Sequence, residues 1–366
     1  MKELERILQL WTQIQEKGEA AVLATVVKTQ GSSYRSAGAR LLLTQDGRRV
    51  GSVSGGCLEE DLVKKAWWLT ENGPVIRRYD TTPDGEISTS GYGLGCNGII
   101  HVLLERVGPG RTEVLDLIGE VRRRRRPALL AHMLEPHPAA ARRLRIDTNG
   151  EASQGFHHDE LAEAREALAA GSNRLVRLSD ARELFLETLT PAIRLLVFGA
   201  GDDAVPVTEL ARYLGWHVTV YDGRSHYARR EKFPLANEVV VRSGGTLEID
   251  PWTVAVIMTH SYSQDLEALG ALSLRPPRYV GVLGPSKRTA QLMADSGLDA
   301  SQLAPGIHSP MGLDIGAEGP EQVALAVIAE IQGVLNGRQG GPLHQREGAI
   351  HSRAEEVPWV RSIVCA

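Results

Sequence analysis

Leu195-Leu196-Val197-Phe198-Gly199-Ala200-Gly201-Asp202-Asp203-Ala204 decides the fold of the C-terminal half. Ile193 to Phe198 is a short apolar run of the kind that forms a buried strand. It runs straight into Gly-x-Gly-x-x-Ala. A helix follows, with Val207, Leu210, Ala211 and Leu214 on its apolar face and Gly215 at its end. The next strand, His217 to Tyr221, stops at Asp222, about 20 residues past the glycines, as a dinucleotide-binding βαβ unit requires. On this reading Gly199 and Gly201 let the backbone approach a ligand, and Asp222 faces a ribose. Further strands fit Glu238 to Val241, Val254 to Met258, Tyr279 to Leu283 and Gly306 to His308, and a helix over Pro320 to Leu335 closes the domain. The fold class is therefore α/β, with a C-terminal Rossmann-like, doubly wound parallel sheet. Ligands in such sheets bind beyond the carboxyl ends of the strands, where His260, Gly284, Ser286 and Lys287 fall. Asp202 and Asp203 occupy the first helical turn, where their charge opposes an anionic ligand.

The N-terminal half has another character. Met1 to Gln15 reads as an amphipathic helix, Ala21 to Val27 as a buried strand, and Lys28 to Gly38 as a polar loop. Arg40 to Thr44 and Val50 to Val53 form a hairpin across Asp46-Gly47. The stretch Gly51-Ser52-Val53-Ser54-Gly55-Gly56-Cys57-Leu58-Glu59-Glu60 then leads into a helix through Leu62, Ala66 and Leu69. Ser54 is the expected N-cap, and Glu59 and Glu60 suit a first helical turn. Cys57 would sit at the helix N-terminus, where backbone N–H groups favour a thiolate or an anion. The alternative is a tight turn around a buried, inert cysteine. A second glycine–cysteine loop, Gly91-Tyr92-Gly93-Leu94-Gly95-Cys96-Asn97-Gly98, precedes the strand Ile99 to Leu104.

The order of elements then repeats in degraded form. Ala128 to Met133 echoes Ala21 to Val26, and Arg143 to Ile146 echoes Arg40 to Leu43. A helix over Asp159 to Leu168 stands for the one after Cys57, and Glu183 to Glu187 echoes Val102 to Glu105. The expected domains are thus an α+β region over 1–190, with pseudo-repeats at 1–107 and 127–190, a Rossmann-like domain over 191–335, and a tail over 336–366. The second copy lacks both cysteine loops, which assigns them to a function of the first copy. Between the copies, Arg122 to Arg126 suits a helix C-terminus halted by Pro127.

Composition narrows the classes. The chain has 366 residues, 42% apolar and 23% charged, with a net charge of −4. That balance gives no basis for nucleic-acid or membrane binding. Three cysteines do not make a disulfide framework and point to the reducing cytoplasm.

Six separated motifs together resemble the XdhC/CoxI family. They are Gly51 to Glu60, Leu94 to Gly98, Leu196 to Asp202, Met258 to Ser261, Tyr279 to Gly284 and Gly312 to Ala317. Two positions depart from the family pattern: Asp202-Asp203 stands where His-Val often follows Gly-Ala-Gly, and Asn97 stands for a glycine. The resemblance implies an accessory factor for xanthine dehydrogenase and related molybdenum hydroxylases. Such a factor binds molybdenum cofactor (molybdopterin), protects it while a cysteine desulfurase adds the sulfido ligand, and hands it to the apo-enzyme. It implies a chaperone rather than the dehydrogenase itself, and a homodimer is expected.

For that cargo the candidate contacts are Ser54, Gly55, Gly56, Cys57, Glu59, Gly95 and Cys96 in the first region. In the second they are Gly199, Gly201, Asp222, His260, Gly284, Ser286, Lys287 and Asp314. Cys57 is the candidate molybdenum ligand or sulfur relay, since a soft thiolate suits that metal. The Rossmann half would take the nucleotide-like part of the cofactor or a separate nucleotide. Two alternatives remain: an NAD(P)-dependent oxidoreductase using Asp222 with His260 or Cys57, and a sulfurtransferase with Cys57 as nucleophile.

Overall fold

The computed structural model describes residues 2–81, 98–135, 143–298, 303 and 306–345; of Cys57 and Glu135 it describes the backbone alone. Two compact bodies result, one over Glu3–Pro191 and one beginning at Ala192.

The first body opens with α1 (Lys2–Glu16), which buries Ile7, Leu10, Trp11 and Ile14 at helical spacing. Then come β1 (Ala21–Gly31), β2 (Arg40–Thr44), β3 (Arg49–Gly51), α2 (Cys57–Leu69), β4 (Val75–Asp80) and β5 (Gly98–Val107). β1 extends four residues past the expected Val27. Lys28 to Gly31 pair with His101 to Gly98 beyond a bulge, so part of the expected polar loop is strand. These strands form one antiparallel sheet in the order β3-β2-β1-β5-β4.

The chain then follows the same path again. α3 (Glu113–Arg124) ends in the arginine run, with Arg125 in the left-handed region. It leads to β6 (Ala128–Glu135), β7 (Arg143–Ile146), α4 (His158–Ala170), β8 (Arg174–Arg177) and β9 (Glu183–Leu189). β8 is not expected from sequence; its four residues, Arg-Leu-Val-Arg, are too few to show a period. The second sheet has the order β7-β6-β9-β8, element for element the order β2-β1-β5-β4 of the first. Both central pairs also carry a register shift near the same point, at Val26/Lys28 and at Met133/Glu135.

Side-chain alternation gives each sheet two buried faces. Val22, Ala24 and Val26 pack outward under Leu58, Leu62 and Ala66 of α2. Leu129, Ala131 and Met133 pack under Ala164 and Ala167 of α4. The other faces meet: Ala21 and Leu23 pack with Ala128, Leu130 and Leu189, and Val27 and Leu103 pack with Leu134 and Phe185. The result is a pair of facing sheets with α2 and α4 on the outer sides and the apolar faces of α1 and α3 built into the core that the inner faces share.

The second body contains β10 (Arg194–Phe198), α5 (Ala204–Tyr213), β11 (His217–Asp222), β12 (Glu238–Val241), β13 (Thr253–Ile257), α6 (Tyr262–Ser273), β14 (Val280–Val282), α7 (Ser286–Ser296), β15 (Ile307–His308) and α8 (Pro320–Leu335). All six strands are parallel, in the order β12-β11-β10-β13-β14-β15. Helices α5 and α8 cover one face, and α6 and α7 cover the other. This is the doubly wound Rossmann order, with its switch point between β10 and β13. The expected Rossmann sheet is therefore present.

Candidate functional site

The Gly-Gly-Cys loop leaves β3 at Gly51, whose φ of 96° and proximity to the Arg40 carbonyl both exclude a side chain. A Cβ at Gly51 would collide with that oxygen, which accepts the Ser52 N–H at 2.8 Å. The loop then folds around Glu59, which is 4% exposed. Glu59 Oε1 accepts from Ser52 Oγ (2.9 Å), Val53 N (3.0 Å) and Ser54 N (2.9 Å), and Oε2 accepts from the Ser54 hydroxyl. Burial alone would raise the Glu59 pKa; the hydrogen bonds from Ser54 and Ser52 outweigh it and hold the pKa below the usual carboxylate value.

Ser54 is not the N-cap. Gly56 holds that position with φ 118°, and Ser54 Oγ instead accepts from Gly56 N and Leu58 N, both at 3.1 Å. A left-handed cap suits glycine, and the serine satisfies helix N–H groups from two residues further back. Cys57 is therefore the first helical residue of α2.

Ser54 and Glu59 are buried braces, whereas Gly55 and Gly56 are exposed. A Cβ at Gly55 would lie 3.7 Å from the Tyr34 ring, which is 66% exposed. Tyr34 thus stands beside the glycine pair as an exposed aromatic face, a feature that a lone tyrosine in a polar loop does not signal in sequence. Gly95 and Cys96 lie outside the described residues. Their flanks are fixed: Thr81 N and Oγ1 both donate to the Gly98 carbonyl, at 2.9 and 2.7 Å. A Cβ at Gly98 would collide with the Ser32 carbonyl, so this strand start also demands glycine. Through the β1 register, the Gly98 flank and the Gly51 loop both lie at the end of the sheet where β1 finishes and β2 begins.

In the parallel-sheet body, Gly199 follows β10 with φ 120°, and a Cβ would collide with the Met258 carbonyl. A Cβ at Gly201 would collide with Asp203 Oδ1, so a carboxylate lies where a dinucleotide-binding loop leaves room for pyrophosphate. His260, in the left-handed region at φ 55°, meets Asp203 Oδ2 through Nε2 at 2.7 Å. Asp202 pairs with Lys232 Nζ at 2.7 Å, an ion pair that lowers its pKa. Asp222 is fully buried. Its Oδ2 accepts from Ala200 N and Arg224 Nη2, and its Oδ1 accepts from Arg224 N and Nε. Burial raises its pKa and these bonds more than reverse that. The carboxylate expected to face a ribose is thus taken up in bracing its own glycine loop.

Gly284 follows β14 with φ 118°; Ser286 opens α7 and donates to the Ser309 carbonyl at 3.3 Å, and Lys287 is exposed. Asp314 is exposed on the segment between β15 and α8. The same two motifs also supply packing contacts. Tyr279 Oη and Gly312 N both donate to Glu330 of α8, at 2.5 and 2.8 Å. Lys232 and Glu330 complete these networks from positions that no motif marks, and Arg224 from among the polar residues at the strand ends. Among the described residues no group of three or more His, Cys, Asp or Glu side chains is arranged to hold a metal ion.

Two family descriptions match the chain, "XdhC and CoxI family" over residues 14–80 and "XdhC Rossmann domain" over residues 195–331. A Bacillus subtilis protein, named as a probable xanthine dehydrogenase subunit, is 32% identical over 321 residues, covering 86% of this chain and 93% of that protein. The Escherichia coli molybdenum cofactor insertion chaperone PaoD is 24% identical over 347 residues, covering 93% of this chain and 89% of its own length. A crystal structure of a xanthine dehydrogenase from Bacillus halodurans superposes with a TM-score of 0.75 at 29% identity, covering 93% of this chain and 97% of that one.

Proposed function

The chain belongs to the XdhC and CoxI family, and from that premise we propose that it is a maturation factor for molybdoenzymes. It binds molybdenum cofactor as cargo, holds it during sulfuration and delivers it to an apo molybdenum hydroxylase such as xanthine dehydrogenase. The observation that carries this reading is the loop from Gly51 to Glu59. A buried carboxylate gathers three consecutive loop residues, and two exposed glycines bring a bare backbone and the start of α2 to the surface beside Tyr34. A flat pterin suits stacking on an exposed tyrosine. Cys57, as the first residue of α2, stands where helix N–H groups stabilise a thiolate able to ligate molybdenum or carry sulfur as a persulfide. Gly95 and Cys96 stay candidate contacts on the strength of the family motif alone.

The parallel-sheet body supports a role other than dinucleotide redox chemistry. Asp203 covers Gly201 and Asp222 is committed to Ala200 and Arg224. An NAD(P) pyrophosphate would meet a carboxylate there. Ser286 and Lys287 stay the candidates for a phosphate contact of a nucleotide-bearing cofactor, with Gly284, His260 and Asp314 around the strand ends. A cysteine desulfurase is the sulfur donor in this scheme, the factor acts as a homodimer, and it works in the cytoplasm. No helix among the described residues is long and apolar enough to cross a membrane.

The test is co-purification from cells that make the cofactor. Wild-type protein is expected to carry pterin and molybdenum, and Cys57→Ala to lose most of both. Unchanged contents in the variant remove Cys57 as a ligand. Tight NADH binding with turnover of a carbonyl substrate would replace the chaperone reading by the oxidoreductase one.

A further inference from the structure

Between the two sheets of the first body lies a layer of buried charge. Arg40 of β2 makes a two-pronged ion pair with Glu187 of β9: Nη1 to Oε1 at 2.6 Å and Nη2 to Oε2 at 2.5 Å. Both side chains are buried, at 5% and 4% exposure. His132 of β6 adds Nε2 to Glu187 Oε2 at 3.3 Å. Arg40 is also the residue whose carbonyl holds the Ser52 amide and excludes a side chain at Gly51. Its Nη1 further donates to the Gly38 carbonyl, and Asn173, which receives the Thr188 amide, donates to the Ala37 carbonyl. The backbone leading into β2 is thus fastened by residues of the second half.

The second half supplies its own control. By chain path β7 stands for β2 and β9 for β5, and Thr25 faces Arg40 and Leu103 as His132 faces Arg143 and Phe185. Arg143 and Glu105 are therefore the counterparts of Arg40 and Glu187, and they too pair, at 2.7 Å. The same residue types thus pair twice in reciprocal positions, as in an isologous dimer, but the second pair is a single bond between more exposed groups. Downstream the two differ. After β3 the loop amide lands on Arg40 itself, whereas in the second half Ser153 N lands on Arg145, two residues further along the strand.

We propose that Arg40 is a positioning residue: through its ion pair with Glu187 the second half sets the backbone from which the Gly51–Glu59 loop departs. The proposal rests on the reading of that loop as the cargo site, and it is tested without cargo. Arg–carboxylate forks fix geometry as well as charge, so shortening or neutralising one partner shifts the other. Glu187→Gln leaves the shape of the pair and removes its charge. Hydrogen exchange of the 51–58 peptide in the cargo-free full chain should then speed up about tenfold. Alkylation of Cys57, resolved by peptide mass, should change with it. Glu105→Gln weakens the reciprocal pair and should lower the thermal midpoint by a smaller amount while leaving both readouts at the wild-type rate. If Glu187→Gln does not fold, Arg40→Lys, which keeps the charge and loses the fork, is read the same way.

Faster loop exchange in both variants, or in neither, overturns the positioning role and leaves a purely structural pair. Cofactor content of wild type is a separate measurement. Its failure removes the cargo reading and leaves the loop result standing.

Discussion

Helices α2 and α4 begin in corresponding places on the two sheets, and both bury a glutamate at the third helical position, Glu59 and Glu160. What they do with it differs. Glu160 accepts the amide of its own N-cap, His157, at 2.9 Å and the Arg182 guanidinium, whose Nη2 and Nε also bind Asp159 and Asp180. That is a self-contained cap closed by charge. Glu59 reaches further back and takes the amides of Val53 and Ser54 together with two hydroxyls. Those four bonds come from neutral donors, and two exposed glycines precede the helix. One scaffold thus carries a plain helix start and an opened one, so the opening is not required by the fold.

Substitutions in both halves probe that contrast. The largest effect is expected at Gly51. Gly51→Ala forces a side chain into the Arg40 carbonyl at a left-handed φ and should cost about 4 kcal/mol of stability in chemical denaturation. Gly155 has a similar φ of 99° in the second half, but its Cβ would meet only the Leu144 side chain at 3.5 Å. Gly155→Ala should cost only about 1–2 kcal/mol. Equal costs would mean that the Arg40 carbonyl adds nothing to the strain of the left-handed φ. The ion-pair variants described above come next.

The smallest effect is a pH slope. Burial lowers the His132 pKa below the usual 6.5 in the folded protein, outweighing the Glu187 hydrogen bond. The unfolded chain therefore binds the extra proton as pH falls below about 6.5. Stability from this group is complete above that point and declines below it. Its partner Glu187 is held low by Arg40 and His132 against the opposing pull of burial, and it stays ionised over this range. His132→Gln should flatten the stability slope between about pH 7 and pH 5. An unchanged slope assigns it to other groups.

Much of this was legible in the residues. The Gly-x-Gly-x-x-Ala run with Asp222 marks the parallel sheet because strand length, glycine spacing and the acidic residue are all local. The order of elements marks the second half because β6 keeps an apolar run like that of β1, and Arg143-Leu144 before Asn149-Gly150 echoes Arg40-Leu41 before Asp46-Gly47. What stayed hidden depends on distance in sequence. Arg40 and Glu187 are 147 residues apart, and neither stands in a recognisable motif. Asp222 carries the right residue at the right spacing, yet Arg224 two residues on captures its carboxylate. Ser54 looks like an N-cap because cap preference is read from residue type, whereas Gly56 takes the position through its left-handed φ.

Under the proposed function the first half bears the site and the second half supports it. Glu59→Gln and Glu160→Gln test it most directly, because each weakens the corresponding helix start. Both proteins would be purified from cofactor-producing cells and assayed for bound pterin and molybdenum against their thermal midpoints. Comparable losses of stability are expected, with cofactor lost in Glu59→Gln and retained in Glu160→Gln. Loss from both in proportion to stability, or retention by both, would contradict it.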